Sequence, residues 1–222
     1  MKHANNKIIV FANQKGGVGK TTLCTMFANY LSKMGKNVLV IDADVQQTIS
    51  MKRAIDIKNG NEQTYEVRVL KIEDEKEVQE VIKDSLELDG FVLIDAPGNL
   101  TQNGLLHIFV NADAIVCPYQ YEMTAINSTV TFIKLLQVLK SKVKGMKAQT
   151  IFVPNRIDRR TGKADELELW KQTDEGLKTF GKVAPRIASR QDVQRYTSVD
   201  LPKEQEKIVK DCFDFIYSTL FN

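Results

Sequence analysis

The chain has 222 residues, of which 43% are hydrophobic and 27% are charged, and its formal net charge is +3. These values are typical of a globular protein and exclude a collagen-like, disordered or disulfide-rich chain. The polar start at Met1–Lys7 has no signal-peptide pattern, and no apolar stretch approaches the roughly 18 residues of a membrane span. We therefore expect one cytoplasmic domain that covers residues 1–222.

Apolar runs of strand length alternate with segments of helical period along the chain. The predicted strands are Ile8–Ala12, Asn37–Ile41, Tyr65–Lys71, Phe91–Ile94, Ala114–Pro118, Gln149–Val153 and Lys182–Pro185. The predicted helices are Lys20–Met34, Glu73–Leu88, Asn103–Val110, Met123–Lys144, Asp165–Phe180 and Pro202–Phe221. This alternation predicts a doubly wound α/β fold with a mostly parallel sheet flanked by helices. The stretch Ala54–Thr64 is predicted to be a surface loop that turns at Asn59-Gly60.

Charge is distributed unevenly, although the total is small. Residues 71–100 carry −6, mostly on the predicted helix Glu73–Leu88, and residues 142–195 carry +6. Such asymmetry permits a polyanionic partner on the basic side. The three cysteines are Cys24, Cys117 and Cys212, and their wide spacing in apolar surroundings favours reduced core thiols over disulfides or a metal cage.

The most informative stretch is residues 13–22, Asn-Gln-Lys-Gly-Gly-Val-Gly-Lys-Thr-Thr, which follows the first strand and opens the first helix. Its glycines let the backbone turn tightly and direct N–H groups at phosphate oxygens. Lys20 would reach the β- and γ-phosphates of ATP, and the Thr21 hydroxyl would complete a Mg²⁺ shell. The residues expected to contact the nucleotide are Lys15, Gly16, Gly17, Val18, Gly19, Lys20, Thr21 and Thr22.

This loop departs from the ordinary P-loop, because Gln14 stands where the first glycine is expected and Lys15 adds an early lysine. The variant resembles the deviant Walker A group that contains ParA, MinD and the nitrogenase iron protein, and the whole string is most similar to ParA. The resemblance implies a weak ATPase whose homodimer is held together by ATP. It also implies that Lys15 reaches across the dimer to the partner's ATP and, with Lys20, stabilises the transition state.

Two strand ends resemble the metal and water elements of the ParA family. The segment Val40–Gln47 is similar to the family's Asp-x-Asp-Pro-Gln element, which implies that Asp44 orients the attacking water and Asp42 helps to hold Mg²⁺. Val45 replaces the usual proline in that element. The strand Phe91–Ile94 ends at Asp95, which the resemblance places beside a Mg²⁺-bound water.

The resemblance continues through Pro118–Glu122, similar to a family segment Pro-x-Gln-x-Glu, and through Val153–Arg156. It implies that Asn155 contacts adenine.

The resemblance also implies non-specific DNA binding through basic side chains that dimerisation brings together. Arg190 matches the position of a DNA-contacting arginine in small family members. The other candidates are Arg186, Arg195, Arg159 and Arg160, each of which could instead be an ordinary solvated charge.

Only about seven residues precede the first strand, too few for a helix-turn-helix domain, so the chain resembles the small ParA subtype. That subtype implies a separate centromere-binding, ParB-like adaptor and a nucleoid-associated location.

Several alternatives share the same loop. A MinD-like protein that acts on membrane or protein cargo would end in a basic amphipathic helix, but Pro202–Phe221 mixes lysines with acidic residues, so packing against the sheet is expected instead. An iron-protein role needs a cluster-bridging cysteine, and Cys117 lies within a predicted strand. A tyrosine-kinase relative would carry a C-terminal tyrosine cluster, whereas only Tyr217 lies there, and a metabolic ligase is not expected to keep Lys15. An ATP-gated scaffold without turnover is disfavoured by Asp44.

Overall fold

The fold is described from a computed structural model of the chain, for residues 2–99, 104–158 and 164–221. Seven parallel strands form one sheet in the order β3-β2-β4-β1-β5-β6-β7. The strands are β1 Lys7–Phe11, β2 Val38–Asp42, β3 Glu66–Val69, β4 Phe91–Asp95, β5 Ala114–Tyr119, β6 Gln149–Pro154 and β7 Lys182–Val183. The predicted doubly wound α/β fold is thus confirmed, because the strand order reverses direction on either side of β1.

Helices connect the strands and cover both faces of the sheet. They are α1 Lys20–Lys33, α2 Thr48–Lys58, α3 Glu75–Glu87, α4 Gly104–Asn111, α5 Met123–Lys142, α6 Ala164–Lys178, α7 Gln191–Gln194 and α8 Lys203–Thr219. Side chains of α1 and α8 pack in one hydrophobic cluster on one face, and those of α3, α4 and α5 pack in a second cluster on the other. Burial of both strand faces explains why the central strands read as continuous apolar runs.

The structure corrects the prediction for Ala54–Thr64, because residues 54–58 form the last part of α2 and not a loop. The side of α2 that faces the protein carries Ile49, Arg53 and Asp56, all of which are buried. Two of these three residues are charged, so the apolar periodicity that marks a packed helix is absent from the sequence. The four-residue helix α7 was also missed, because it is too short to show any period.

All three cysteines are buried and free, as expected of core thiols. In the described part of the chain, no helix is both long enough and apolar enough to cross a membrane.

Candidate functional site

The glycine-rich loop lies between β1 and α1 at the carboxyl edge of the sheet. Gly17 and Gly19 have φ angles of 78° and 104°, in the left-handed region that favours glycine. A Cβ atom at Gly19 would also lie 2.3 Å from Nδ2 of Asn155. The last glycine is therefore required both by the backbone turn and by the close approach of the β6 end, and the loop opens directly into the N-terminus of α1.

Two buried asparagines brace this loop from either side. Asn13 Nδ2 donates to the Pro118 carbonyl at 2.8 Å and to Thr129 Oγ1 at 3.0 Å, while its Oδ1 accepts from the Lys15 N–H at 3.1 Å. Asn155 Nδ2 donates to the Val18 carbonyl at 2.8 Å. The bracing role of Asn13 was missed, because Pro118 and Thr129 lie more than 100 residues away in sequence.

The adenine contact assigned to Asn155 stays a prediction. Its side-chain nitrogen is engaged by the loop, whereas its buried Oδ1 has no hydrogen-bond partner within residues 2–99, 104–158 and 164–221. That oxygen remains able to accept a bond from a ligand.

The two lysines of the loop have different surroundings. Lys20 is 8% exposed, and its Nζ lies 3.8 Å from where a Cβ of Gly98 would be, on the turn that follows β4. Lys15 is partly exposed, and its Nζ donates to Thr124 Oγ1 at 3.3 Å near the start of α5. Thr124 Oγ1 in turn donates to Glu122 Oε1 at 2.8 Å. Lys20 therefore faces the β4 end, and Lys15 is held against the start of α5.

Asp42 and Asp95 are the last residues of two adjacent strands and stand opposite each other in the β2–β4 register. Asp95 is fully buried, and neither of its carboxylate oxygens has a hydrogen-bond partner among the described residues. Burial, with a smaller contribution from the nearby Asp42 charge, raises the pKa of Asp95 to about 7 against the opposing effects of the Thr21 hydroxyl and Lys20. Burial also raises the pKa of Asp42, whose Oδ2 accepts from the Ser50 N–H at 2.9 Å while its Oδ1 is unpartnered in the same described set.

These unpartnered oxygens fit a Mg²⁺ ion that keeps several waters. Mg²⁺ is usually bound through one or two carboxylates, waters and substrate phosphates, and not by a protein cage. Within the described part of the chain no cluster of three histidine, cysteine or acidic side chains forms such a cage. Thr21, Asp42 and Asp95 therefore make a donor set suited to a nucleotide-bound Mg²⁺.

Asp44 lies in a tight turn between β2 and α2. Its Oδ1 accepts from the Gln46 N–H at 2.9 Å, and its carbonyl accepts from the Gln47 N–H at 2.9 Å. Gln47 has a φ of 47°, which is unusual for a residue with a side chain. Val45, where the resemblance led us to expect a proline, is 68% exposed at the tip of this turn.

Two cavities share the segment Ala188–Arg190 as part of their lining. A cavity of about 260 Å³ is bordered by Thr22 of α1, by Asn155 and by the last two residues of α7. A second cavity of about 360 Å³ lies between that segment and α8. Arg190 lines both cavities, and an isolated bridge between Ile157 and Ala188 holds the shared segment next to β6.

The predicted DNA-contacting arginines differ in their environments. Arg190 and Arg195 are exposed on either side of α7. Arg186 Nη2 instead donates to Asp174 Oδ2 at 2.8 Å, and its guanidinium lies over the rings of Tyr121 and Trp170. Arg159 and Arg160 lie outside the described residues. All three described arginines are therefore exposed, but the Arg186 guanidinium is engaged by Asp174 and the two aromatic rings.

Helix α8 buries its apolar side chains, as the mixed charges of its polar face led us to expect. Val209, Cys212, Phe213 and Ile216 are each at most 2% exposed and pack with Phe27 and Tyr30 of α1. The apolar face is thus used within the fold.

Comparison with known proteins gives consistent matches along the chain. Residues 6–90 match a family model described as an AAA domain. The chain is 26% identical over 209 residues to the chromosome-partitioning ATPase Soj of Thermus thermophilus, covering 84% of each chain. It is 24% identical to the chromosome partitioning protein ParA of Caulobacter vibrioides, covering 81% of this chain and 80% of that protein.

Solved structures support the same fold. A plasmid partition protein of Borrelia burgdorferi bound to AMPPNP superposes with a TM-score of 0.74 at 21% identity, over 96% of this chain and 99% of the other. At this identity the likeness establishes the shared architecture.

Proposed function

We propose that the chain is a ParA-type P-loop ATPase that hydrolyses ATP to position DNA cargo, a proposal supported by its similarity to Soj and ParA proteins over 84% and 81% of its length. The observation that carries the proposal is the loop of residues 13–22, where Lys20 lies near the carboxylate that ends β4 and Lys15 is held at the start of α5. Backbone N–H groups at the start of a helix can bind phosphate oxygens. Buried carboxylates without hydrogen-bond partners can bind Mg²⁺.

Each side chain has a distinct part in the proposed reaction. The N–H groups of Gly16 to Thr22 bind the phosphates, and Lys20 neutralises charge on the β- and γ-phosphates. Thr21, Asp42 and Asp95 hold Mg²⁺, which supplies charge neutralisation when bound. Asp44 orients the attacking water from a turn whose geometry is fixed by its bonds to Gln46 and Gln47. The orphaned oxygen of Asn155 accepts from the adenine amino group.

Lys15 completes the site of a second copy in this proposal. In a single chain its ammonium is held by Thr124 at 3.3 Å, a long hydrogen bond at a partly exposed position that costs little to break. On dimerisation the ammonium transfers to the partner's ATP, where it stabilises negative charge that develops on the phosphates. ATP therefore holds the homodimer together, and hydrolysis releases it.

DNA binding follows from the dimer. Arg190 and Arg195 are exposed around α7, near the cavity that borders Thr22. Doubling these charges in a dimer raises affinity for DNA phosphates without reading sequence. The proposal includes a ParB-like adaptor that reads the centromere and stimulates turnover, and a location in the cytoplasm on the nucleoid.

Sedimentation velocity tests the nucleotide-driven dimer. The wild-type chain should sediment as a monomer with ADP and as a dimer with ATP and Mg²⁺, and Asp44→Ala should remain a dimer because it cannot complete hydrolysis. Slow release of phosphate, measured in parallel, should accompany dimerisation in wild type only. A chain that stays monomeric with ATP under all conditions would contradict the proposal.

A further inference from the structure

Ser198 is held at three atoms by two charged side chains of α2. Asp56 Oδ2 accepts from the Ser198 N–H at 2.7 Å and from its hydroxyl at 2.8 Å. Arg53 Nη2 donates to the Ser198 carbonyl at 2.6 Å. Ser198 is fully buried, and Arg53 and Asp56 are 4% and 8% exposed. Burying a charged side chain is unfavourable unless hydrogen bonds compensate for the lost hydration. The bonds to Ser198 supply part of that compensation and fix the position of this residue, and we call this set of contacts the clamp.

The clamp joins two parts of the molecule that the proposed function uses. Helix α2 begins just after Asp44, and its first turn donates from the Ser50 N–H to Asp42 Oδ2 at 2.9 Å. Ser198 lies three residues after Arg195, which ends α7. A helix of 11 residues therefore connects the carboxylates beside the nucleotide loop to the segment that carries the exposed arginines.

The same segment is also tied to the loop helix. Asn29 on α1 donates from Nδ2 to the carbonyls of Thr197 and Asp200, at 2.9 and 2.7 Å, and its Oδ1 accepts from the Tyr65 hydroxyl at 2.8 Å. Arg53 packs over the Tyr65 ring and donates to its carbonyl at 2.8 Å. Residues 197–200 are thus bonded both to the helix that follows the phosphate loop and to the helix that follows Asp44.

We propose that Arg53 and Asp56 are positioning residues that couple the state of the nucleotide site to the DNA-binding arginines through Ser198. A shift of the Asp42–Asp44 turn on nucleotide exchange moves the first turn of α2, and the clamp carries that movement to the backbone that follows Arg190 and Arg195. Arg53 and Asp56 are both buried, so they act through Ser198 and not by presenting their charges to DNA. This inference rests on the proposed ATP-dependent binding of DNA.

The test measures the affinity of the protein for a fluorescent DNA duplex of arbitrary sequence, once in the presence of ATP and once in the presence of ADP. The ratio of these two affinities is compared between variants. Arg53→Met removes the charge and keeps the length of the side chain, and Asp56→Ala removes the acceptor. Both should lower the ATP:ADP ratio at least tenfold, while the dissociation constant of a fluorescent ATP analogue changes less than about threefold. Asp56→Asn, whose amide oxygen can still accept from Ser198, should keep the ratio within about 1.5-fold of wild type.

Loss of stability alone must be separated from loss of coupling. Ile82→Ala serves as the control, since Ile82 lies on α3 in the hydrophobic cluster on the other face of the sheet and its truncation destabilises without touching Ser198. Ser198→Ala, which removes only the hydroxyl bond, gives a milder variant should Asp56→Ala fail to fold, and it should lower the ratio about threefold.

The outcomes distinguish the inference from the function on which it rests. If wild type shows no ATP dependence of DNA binding, the proposed function itself fails. If wild type shows it and the clamp variants keep the wild-type ratio, or if Ile82→Ala lowers the ratio as much as they do, the coupling role is overturned. An Asp56→Asn ratio as low as that of Asp56→Ala would contradict the hydrogen-bond basis of the clamp.

Discussion

Asp42 and Asp95 stand side by side at the carboxyl ends of β2 and β4, paired in register on adjacent strands. Both are fully buried, and three of their four carboxylate oxygens have no partner within the described residues. Two negative charges at adjacent buried positions repel each other. The pair therefore favours either protonation of one carboxylate or the binding of a metal ion at these strand ends.

The first prediction concerns pH and Asp95 in the absence of nucleotide. Its pKa is about 7 in the folded chain and near 4 when unfolded, so the proton that the folded state retains stabilises it fully below about pH 4, and this stabilisation is lost as pH rises to about 7. Asp95→Asn removes that loss and should raise the free energy of unfolding at pH 8 by about 1–3 kcal/mol, with little change at pH 4. Urea unfolding at both pH values measures it, and parallel shifts at both would contradict the assignment.

Lys20→Ala should abolish ATP binding. The side chain is almost fully buried beside the turn at Gly98, and no other lysine of the loop faces the β4 end. Titration with a fluorescent ATP analogue should show affinity reduced at least a hundredfold, about 3 kcal/mol. Circular dichroism of the variant should match wild type, and binding that stays within about tenfold of wild type would remove Lys20 from the phosphate site.

Lys15→Ala should separate binding from turnover. Because Lys15 is held by Thr124 on its own chain, its removal leaves the phosphate loop intact and ATP affinity within about threefold of wild type. Phosphate release with DNA and partner present should fall to background. Thr124→Val is the matched control, since it frees Lys15 without removing it and should retain turnover. Stimulated turnover in Lys15→Ala would refute the cross-dimer role.

The arginines around α7 should differ in their response to substitution. Arg190→Glu should abolish ATP-dependent DNA retention while ATP affinity is unchanged. Arg186→Ala should instead lower the melting temperature, because it leaves Asp174, which is 14% exposed, without its cation. Melting curves and DNA pelleting of both variants give the comparison. Wild-type retention in Arg190→Glu would move the DNA surface elsewhere.

We expect that glycine at position 47 preserves the stability of the fold and that a β-branched residue there lowers it. The φ of 47° at Gln47 costs a side chain about 1 kcal/mol, and a β-branched residue costs more. Gln47→Val should lower the free energy of unfolding by about 1–2 kcal/mol relative to Gln47→Gly. Equal stabilities in urea unfolding would show that the turn relaxes.

The strands and long helices could be predicted from sequence because burial imposes a readable period on them. The continuous apolar run of β4 and the helical spacing of the apolar residues in α3 are examples. The ends of both elements fall within two residues of the predicted ends. Helix α2 could not be predicted, because its buried side is held by Arg53 and Asp56, whose shared partner Ser198 is more than 140 residues away. A charged residue is predicted to be exposed unless a buried partner for it is known.

The candidate site shows the same division. The loop of residues 13–22 is readable because its glycines and lysines serve local backbone geometry and charge. The register of Asp42 with Asp95 follows from strand order, which the sequence does not state. Engagement of Arg186 by Asp174 and the bracing by Asn13 likewise depend on tertiary contacts, so a sequence cannot separate the ion-paired Arg186 from Arg190.

The central claim is that ATP controls DNA binding by this chain. The most direct measurement is pelleting of duplex DNA with the protein under ATP, ADP and no nucleotide, at two salt concentrations, with Lys15→Ala beside wild type. We predict retention that requires ATP, weakens steeply with salt and is absent in Lys15→Ala. Retention that is independent of nucleotide, or ATP-dependent dimers that retain no DNA at low salt, would contradict the account.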